Sequence, residues 1–278
     1  MNLPNLIIIG AMKAATTSLH YYLNLHPDVS MSKEKELNFF TEGNWDLGVE
    51  WYASQFNSGA RIRGETSPAY TRYPLERDVP RRMNSVVPEA KLIYLLRDPI
   101  ERLISQYVHR IADGRETRPF EDALAELRDN PYIVLSQYFM QLQQFLRFYE
   151  TTSILIVTQE DLRNNPRDTM SSIFRFLEVD DAFYSEHFKT IRHKSAWKKR
   201  RKNGIGLYLA QTSLMKNIEK LPFSIRSNVA WFLYLPFSKR VSRPHVSTLL
   251  KQRIIDYLQD DIDRLRRFTT YKFEDWCL

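Results

Sequence analysis

The first apolar run of the chain, Leu6-Ile7-Ile8-Ile9, ends at Gly10 and gives way to Lys13 and a row of hydroxyls at Thr16, Thr17 and Ser18. An uninterrupted apolar run of about four to eight residues, rich in β-branched side chains, reads as a strand buried on both faces. From Ser18 the apolar spacing turns helical as far as Leu25, and Pro27 and Asp28 close it, since proline offers no interior helical N–H. The alternation then returns. Residues 61–65 predict a short strand that Ser67-Pro68 turns into a loop, and residues 91–96 and 153–157 predict two more buried strands. Helical spacing runs after Pro99, over 132–149, over 161–177 with Pro166 near its start, and over 248–268. Strands alternating with helices of this size predict the α/β class: a P-loop-like central parallel sheet with helices on both faces and ligands beyond the carboxyl ends of its strands. A C-terminal helical and lid region follows. The expected organisation is one domain over 1–278, with an α/β core over 1–190 and, over 191–278, a basic loop, an aromatic helical segment and a closing helix.

With 278 residues, 43% of them hydrophobic, the chain can bury a substantial core, and disorder is not expected. Only a few apolar residues separate Asn5 from Lys13, too few for a secretory segment, and no window approaches the roughly 18 apolar residues of a membrane span. The expected address is cytoplasmic. A single cysteine, Cys277, leaves no internal disulfide, agrees with a reducing compartment, and removes a cysteine-based zinc site. The net charge is +7, and the basic residues cluster in 192–202 and 253–272. Such clusters suit an anionic ligand, a nucleic acid or a membrane surface, or form a plain solvated face.

Strand, tight turn and helix in succession aim backbone N–H groups and the positive end of a helix dipole at one point, which suits a phosphate, and Lys13 adds a full charge there. The G-x-x-x-x-G-K-[ST] spacing is absent, because two residues separate Lys13 from the hydroxyls, so ATP is not the first ligand to expect. A second basic turn, Arg97-Asp98-Pro99, follows the strand at 91–96 and leads into a helix carrying Ser105, Tyr107 and His109.

The stretch Gly10-Ala11-Met12-Lys13-Ala14-Ala15-Thr16-Thr17-Ser18-Leu19 is similar to the 5′-phosphosulfate loop of sulfotransferases that use 3′-phosphoadenosine-5′-phosphosulfate (PAPS). Residues 95–107, with Arg97, Asp98, Pro99 and Ser105, resemble the 3′-phosphate motif of the same enzymes. Leu25-His26-Pro27-Asp28-Val29, Glu36-Leu37-Asn38-Phe39-Phe40, Ser67-Pro68-Ala69-Tyr70, Gln159-Glu160-Asp161-Leu162 and Trp276 fall in family order across nearly the whole chain. The pattern is close to bacterial members and to the sulfotransferase domains that modify heparan sulfate. Two positions depart from it. Ala15 stands where the family usually has Gly, a change that is tolerable if its φ is negative. Thr66 stands where the heparan-modifying enzymes have Lys, so their polysaccharide acceptor does not carry over.

The resemblance implies an enzyme that moves a sulfuryl group from PAPS to a hydroxyl or amine of a small-molecule or carbohydrate acceptor, leaving 3′-phosphoadenosine-5′-phosphate (PAP). In that reading residues 1–190 form the nucleotide-binding core. Lys13 stabilises charge on the bridging oxygen, while Ala14, Ala15, Thr16, Thr17 and Ser18 cradle the 5′-phosphate. Arg97 and Ser105 bind the 3′-phosphate. Glu36 is the base that takes the acceptor proton, with Glu34, His20 and His109 as competitors. Glu65 supports Lys13 or touches the acceptor, alongside Ser67 and Tyr70. The basic loop becomes a lid over the 3′-phosphate, with Arg200 and Arg201 as phosphate ligands and Gly204 and Gly206 as hinges. No metal is expected, since sulfate carries less charge than phosphate and no acidic pair has the setting Mg²⁺ needs. No nucleic-acid partner is expected. The aromatic stretch 207–241 reads as core and lid packing, with weak membrane-surface contact as the alternative. The competing functions are a P-loop kinase, marked by Mg²⁺-dependent ATP binding, and a non-enzymatic basic module, marked by steep salt dependence and indifference to Lys13 and Arg97.

Overall fold

The computed structural model describes residues 1–57, 59–189, 199–201, 238–269 and 271–277, with the backbone alone at 199–201 and 238–240. Most of the basic lid loop, the hinge glycines and most of the aromatic stretch lie outside these residues. Two compact units are formed. The first comprises Met1–Leu103, Glu126–Arg192 and Ser247–Leu278, and the second Ile104–Ala125 and His193–Val246.

The first unit is built on β1 (Leu6–Gly10), β2 (Val29–Met31), β3 (Ile62–Thr66), β4 (Lys91–Leu96) and β5 (Ile154–Thr158), which form an all-parallel sheet in the order β2-β3-β1-β4-β5. β1 is central and all five of its residues are buried, as a strand covered on both faces requires. The chain leaves β1 through α1 (Thr16–Leu23) toward β2 on one side. It later crosses from β3 through α3 (Val79–Val86) to β4 on the other, after α2 (Gly48–Ala53) has packed beside β3. Right-handed crossovers running in opposite directions put α1 and α3 on opposite faces and open a crevice at the carboxyl ends of β1 and β4. Gly10 sits where the β1–β4 register shifts, and a Cβ there would lie 2.1 Å from Thr71 Oγ1, so only glycine fits.

The long helix predicted over 132–149 is two helices, α6 (Pro131–Val134) and α7 (Tyr138–Phe145), interrupted at Ser136. The fully buried Arg102 explains the interruption: its Nε donates to Ser136 Oγ at 2.8 Å and its Nη2 to the Tyr132 carbonyl at 2.5 Å. The helix predicted over 161–177 is likewise two, α8 (Gln159–Asn164) and α9 (Pro166–Leu177), because the residue before a proline is pushed out of the helical region; Asn165 has φ −129° and ψ 57°. β2 was not foreseen, since its three residues are too few to show a pattern. The last helix, α10 (Thr248–Thr269), follows its periodicity and buries Leu250, Ile254, Leu258, Ile262 and Leu265. Among the described residues no helix is long and apolar enough to cross a membrane.

The helix α4 (Pro99–Ala112) begins in the first unit, and the second unit takes its residues from Ile104 onward. Within the second unit, Tyr107 Oη donates to the Arg118 carbonyl at 2.8 Å and its ring meets Phe120 edge-on above α5 (Phe120–Ala123). Strands β6 (Lys199–Arg201) and β7 (Ser238–Arg240) pair antiparallel.

Candidate active site

The crevice at the sheet's carboxyl edge is lined by the turn from β1 to α1. Ala11 N donates to the Leu95 carbonyl at 2.6 Å, tying this turn to the end of β4. Lys13 and Ala15 both take positive φ, 72° and 68°. This turns the chain back so that α1 starts with its amino end at the crevice. The condition for a comfortable Ala15 is therefore not met: a left-handed alanine costs about 1 kcal/mol or more that glycine would not. Ala15 is also the N-cap and supplies no side-chain acceptor. Ser18 N and Leu19 N bond back to the Ala15 carbonyl at 2.9 and 3.2 Å, whereas the amides of Thr16 and Thr17 belong to the first helical turn, which has no intrahelical acceptors. Thr16 and Ser18 are buried and Thr17 is half-buried.

Arg97 joins the second motif to the first. Its Nη1 donates to the Lys13 carbonyl at 3.3 Å and its Nη2 to Glu101 Oε2 at 3.1 Å. The peptide beside it is gripped from three directions. Tyr138 Oη donates to the Arg97 carbonyl at 2.7 Å, Asp98 N donates to Glu160 Oε1 at 3.2 Å, and Cys277 N donates to Asp98 Oδ2 at 2.5 Å. Asp98 Oδ1 accepts the Glu101 amide at 2.8 Å, so Asp98 caps α4 with Pro99 in the first turn. Trp276 stacks on Phe273 at 4.1 Å, and its Nε1 reaches Glu160 Oε2 at 3.4 Å. Ser105 is buried on α4 within the second unit.

On the other side of β1, Glu36 lies in a loop beside the end of β3. Its N–H donates to the Thr66 carbonyl at 2.9 Å, its φ is 65°, and its exposed carboxylate pairs with Lys35 Nζ at 2.6 Å. Glu34 is exposed. His20 Nδ1 lies 3.0 Å from Thr66 Oγ1, and burial, with Lys35 nearby, pushes its imidazole down to about 4. His20 is thus a neutral ring engaged by Thr66 and poor at holding a proton. His109 sits in the second unit, 3.3 Å from Asp113.

Glu65, Ser67 and Tyr70, assigned to acceptor contact from sequence, are buried to 0, 0 and 1% exposure and bond to one another. Glu65 accepts from Tyr52 Oη at 2.5 Å, Ser67 Oγ at 2.7 Å and Tyr70 Oη at 2.8 Å. Burial raises its carboxyl above the usual range while the three hydroxyls pull it back. Arg200 and Arg201 fall on β6, where only the backbone is described.

The model of the sulfotransferase domain matches residues 3–231. The chain belongs to the sulfotransferase domain family. The human bifunctional heparan sulfate N-deacetylase/N-sulfotransferase 2 is 32% identical over 198 residues, 64% of this chain and 22% of that protein. The membrane-associated sulfotransferase kil1 of Dictyostelium discoideum is 26% identical over 276 residues, 66% of this chain and 58% of that protein. This sulfotransferase chain thus spans about a fifth of the length of the first relative. Its fold matches the crystal structure of a sulfotransferase from Alicyclobacillus acidocaldarius with a TM-score of 0.70 at 21% identity, covering 98% of both chains. It also matches a mouse sulfotransferase complexed with PAP with a TM-score of 0.52 at 12% identity, covering 93% of this chain and 84% of that one.

Sequence reasoning missed Tyr52, which stands within an aromatic run with no periodicity to mark it. It also gave Asp98 no role of its own within the 95–107 motif, although Asp98-Pro99-Ile100-Glu101 carries the spacing of a helix cap.

Proposed function

We propose that this chain transfers the sulfuryl group of PAPS to a hydroxyl or amine of a small-molecule or carbohydrate acceptor. The observation that carries the reading is the bond from Arg97 Nη1 to the Lys13 carbonyl. It holds two basic turns against each other at the sheet's switch point, where ligands of such sheets bind. Thr16, Thr17 and Ser18 meet the 5′-phosphate with hydroxyls and first-turn amides, and Arg97 meets the 3′-phosphate.

The acceptor oxygen or nitrogen attacks sulfur, its bond to sulfur forms as the bond from sulfur to the 5′-phosphate oxygen breaks, and PAP leaves with the electron pair. Lys13 stabilises the charge building on that oxygen more in the transition state than before it. Glu36 takes the acceptor's proton; its exposed carboxylate beside the Thr66 strand end supports this role. The relatives named for heparan sulfate support a carbohydrate acceptor, while Thr66, with the neutral His20 beside it, leaves this strand end less cationic than a lysine at that position would.

The test is labelled PAPS offered with a panel of aliphatic alcohols, phenols, aminosugars and N-deacetylated heparan oligosaccharides. Lys13→Ala is expected to slow the chemical step at least a hundredfold, and Glu36→Gln to remove turnover while PAP still binds. Wild-type-like kcat in Glu36→Gln would move the base elsewhere, and label transfer near the wild-type rate in Lys13→Ala would reject the reaction centre.

A further inference from the structure

The Glu65 cluster does more than fill the interior. Ser67 Oγ, while donating to Glu65, accepts the Asn38 amide at 3.0 Å; Tyr70 Oη, while donating to Glu65, faces the Phe40 amide at 3.5 Å. The third donor, Tyr52, stacks its ring on Phe39 at 4.3 Å and 11°. All three arms of one buried carboxylate therefore end on consecutive residues of the loop 38–40. That loop needs the restraint. Glu36 and Asn38 both hold positive φ, 65° and 49°, a conformation that costs the glutamate about 1 kcal/mol or more and the asparagine less. Asn38 Nδ2 passes the restraint on by donating to the Glu36 carbonyl at 2.9 Å.

We infer that Glu65 is a positioning residue, which through Ser67, Tyr70 and Tyr52 fixes the 36–40 loop and so sets where the Glu36 carboxylate stands. This rests on the reading of Glu36 as the base. A carboxylate suits the task because it accepts all three hydroxyls at once, whereas an amide turns one acceptor oxygen into a donor and the hydroxyl facing it must turn its own proton away. Burying an acidic group is costly, so a cluster whose three hydroxyl arms all reach one loop points to that loop as its purpose.

The experiment compares wild type, Glu65→Gln and Glu36→Gln by three readouts: PAP affinity, PAPS turnover with water as the ever-present acceptor, and amide exchange of the 36–40 and 13–18 segments. The expected result for Glu65→Gln is a fall in kcat of at least tenfold, a PAP Kd within twofold of wild type, and faster exchange in 36–40 with 13–18 unchanged. A kcat within twofold, unchanged exchange in 36–40, or a loss of PAP affinity parallel to that of kcat would overturn the inference. If Glu65→Gln does not fold, Ser67→Ala and Tyr70→Phe each release one arm and are held to the same pattern at about threefold in kcat. Glu36→Gln separates the two failures: normal kcat there removes the base, whereas a slow Glu36→Gln beside an unaffected Glu65→Gln removes the positioning role alone.

Discussion

Replacing Arg97 gives a measurable account of how the nucleotide is chosen. The guanidinium has five N–H donors, and the structure occupies two, one on the Lys13 carbonyl and one on Glu101. The rest suffice for a forked contact with a phosphate. A charge-assisted contact of this kind contributes about 1.5–3 kcal/mol, or about 10- to 150-fold in affinity. Arg97→Ala should lower PAP affinity by that factor. AMP, which lacks the 3′-phosphate, loses only the tightening that the Lys13 bond gives the first turn, and its affinity should change by less than about threefold. Arg97→Lys should recover part of the charge but not the fork, falling between the two. Calorimetric titration of PAP and AMP into the three proteins reads all of this at once. Equal losses for PAP and AMP, or a PAP Kd unchanged in Arg97→Ala, would refute the assignment of Arg97 to the 3′-phosphate.

Asp261 on α10 is buried and accepts the Phe139 and Met140 amides at the start of α7, at 2.9 and 2.8 Å, and burial lifts its carboxyl to about 6. Its folded value lies above the unfolded one of about 3.9, so its contribution to stability is complete below the unfolded value and lost as pH rises through 6. Between pH 5 and 7.5 wild type should lose about 1 kcal/mol more than Asp261→Asn by urea unfolding, and parallel pH dependences would reject this. Ala15→Gly should leave the protein as stable or more stable by up to about 1 kcal/mol, because relief of the left-handed alanine outweighs the added freedom of glycine when unfolded. A loss of thermal stability would show that the turn is not strained.

β1, β4 and β5 were readable because strands buried on both faces leave unbroken apolar runs, and Lys13 and Arg97 could be placed because each follows such a run. β2 and the breaks at Ser136 and Asn165 were not readable from periodicity. β2 is short, and the break at Ser136 depends on Arg102, more than thirty residues earlier in the chain. Asn165 could have been found, since Pro166 restricts it. At the site, the letters Glu65, Ser67 and Tyr70 read as polar groups beside a ligand. Their burial depends on α2, which folds Tyr52 over them, and no local pattern announces that contact. The sign of φ at Ala15 is likewise set by the turn as a whole rather than by the residue's own preference.

The bond from Cys277 to Asp98 joins residues 179 positions apart. Chains emerge from the ribosome at about 5–20 residues per second, so roughly 9 to 36 s pass between the appearance of the two partners. During that interval β1, β3 and β4 can already associate and the Lys13 and Arg97 turns can meet, while Asp98 and Glu160 still await Cys277 and Trp276. The nascent chain therefore carries its Lys13 and Arg97 turns well before the segment that fastens one of them in place. The Arg97 turn is fully fastened only once Cys277 has emerged.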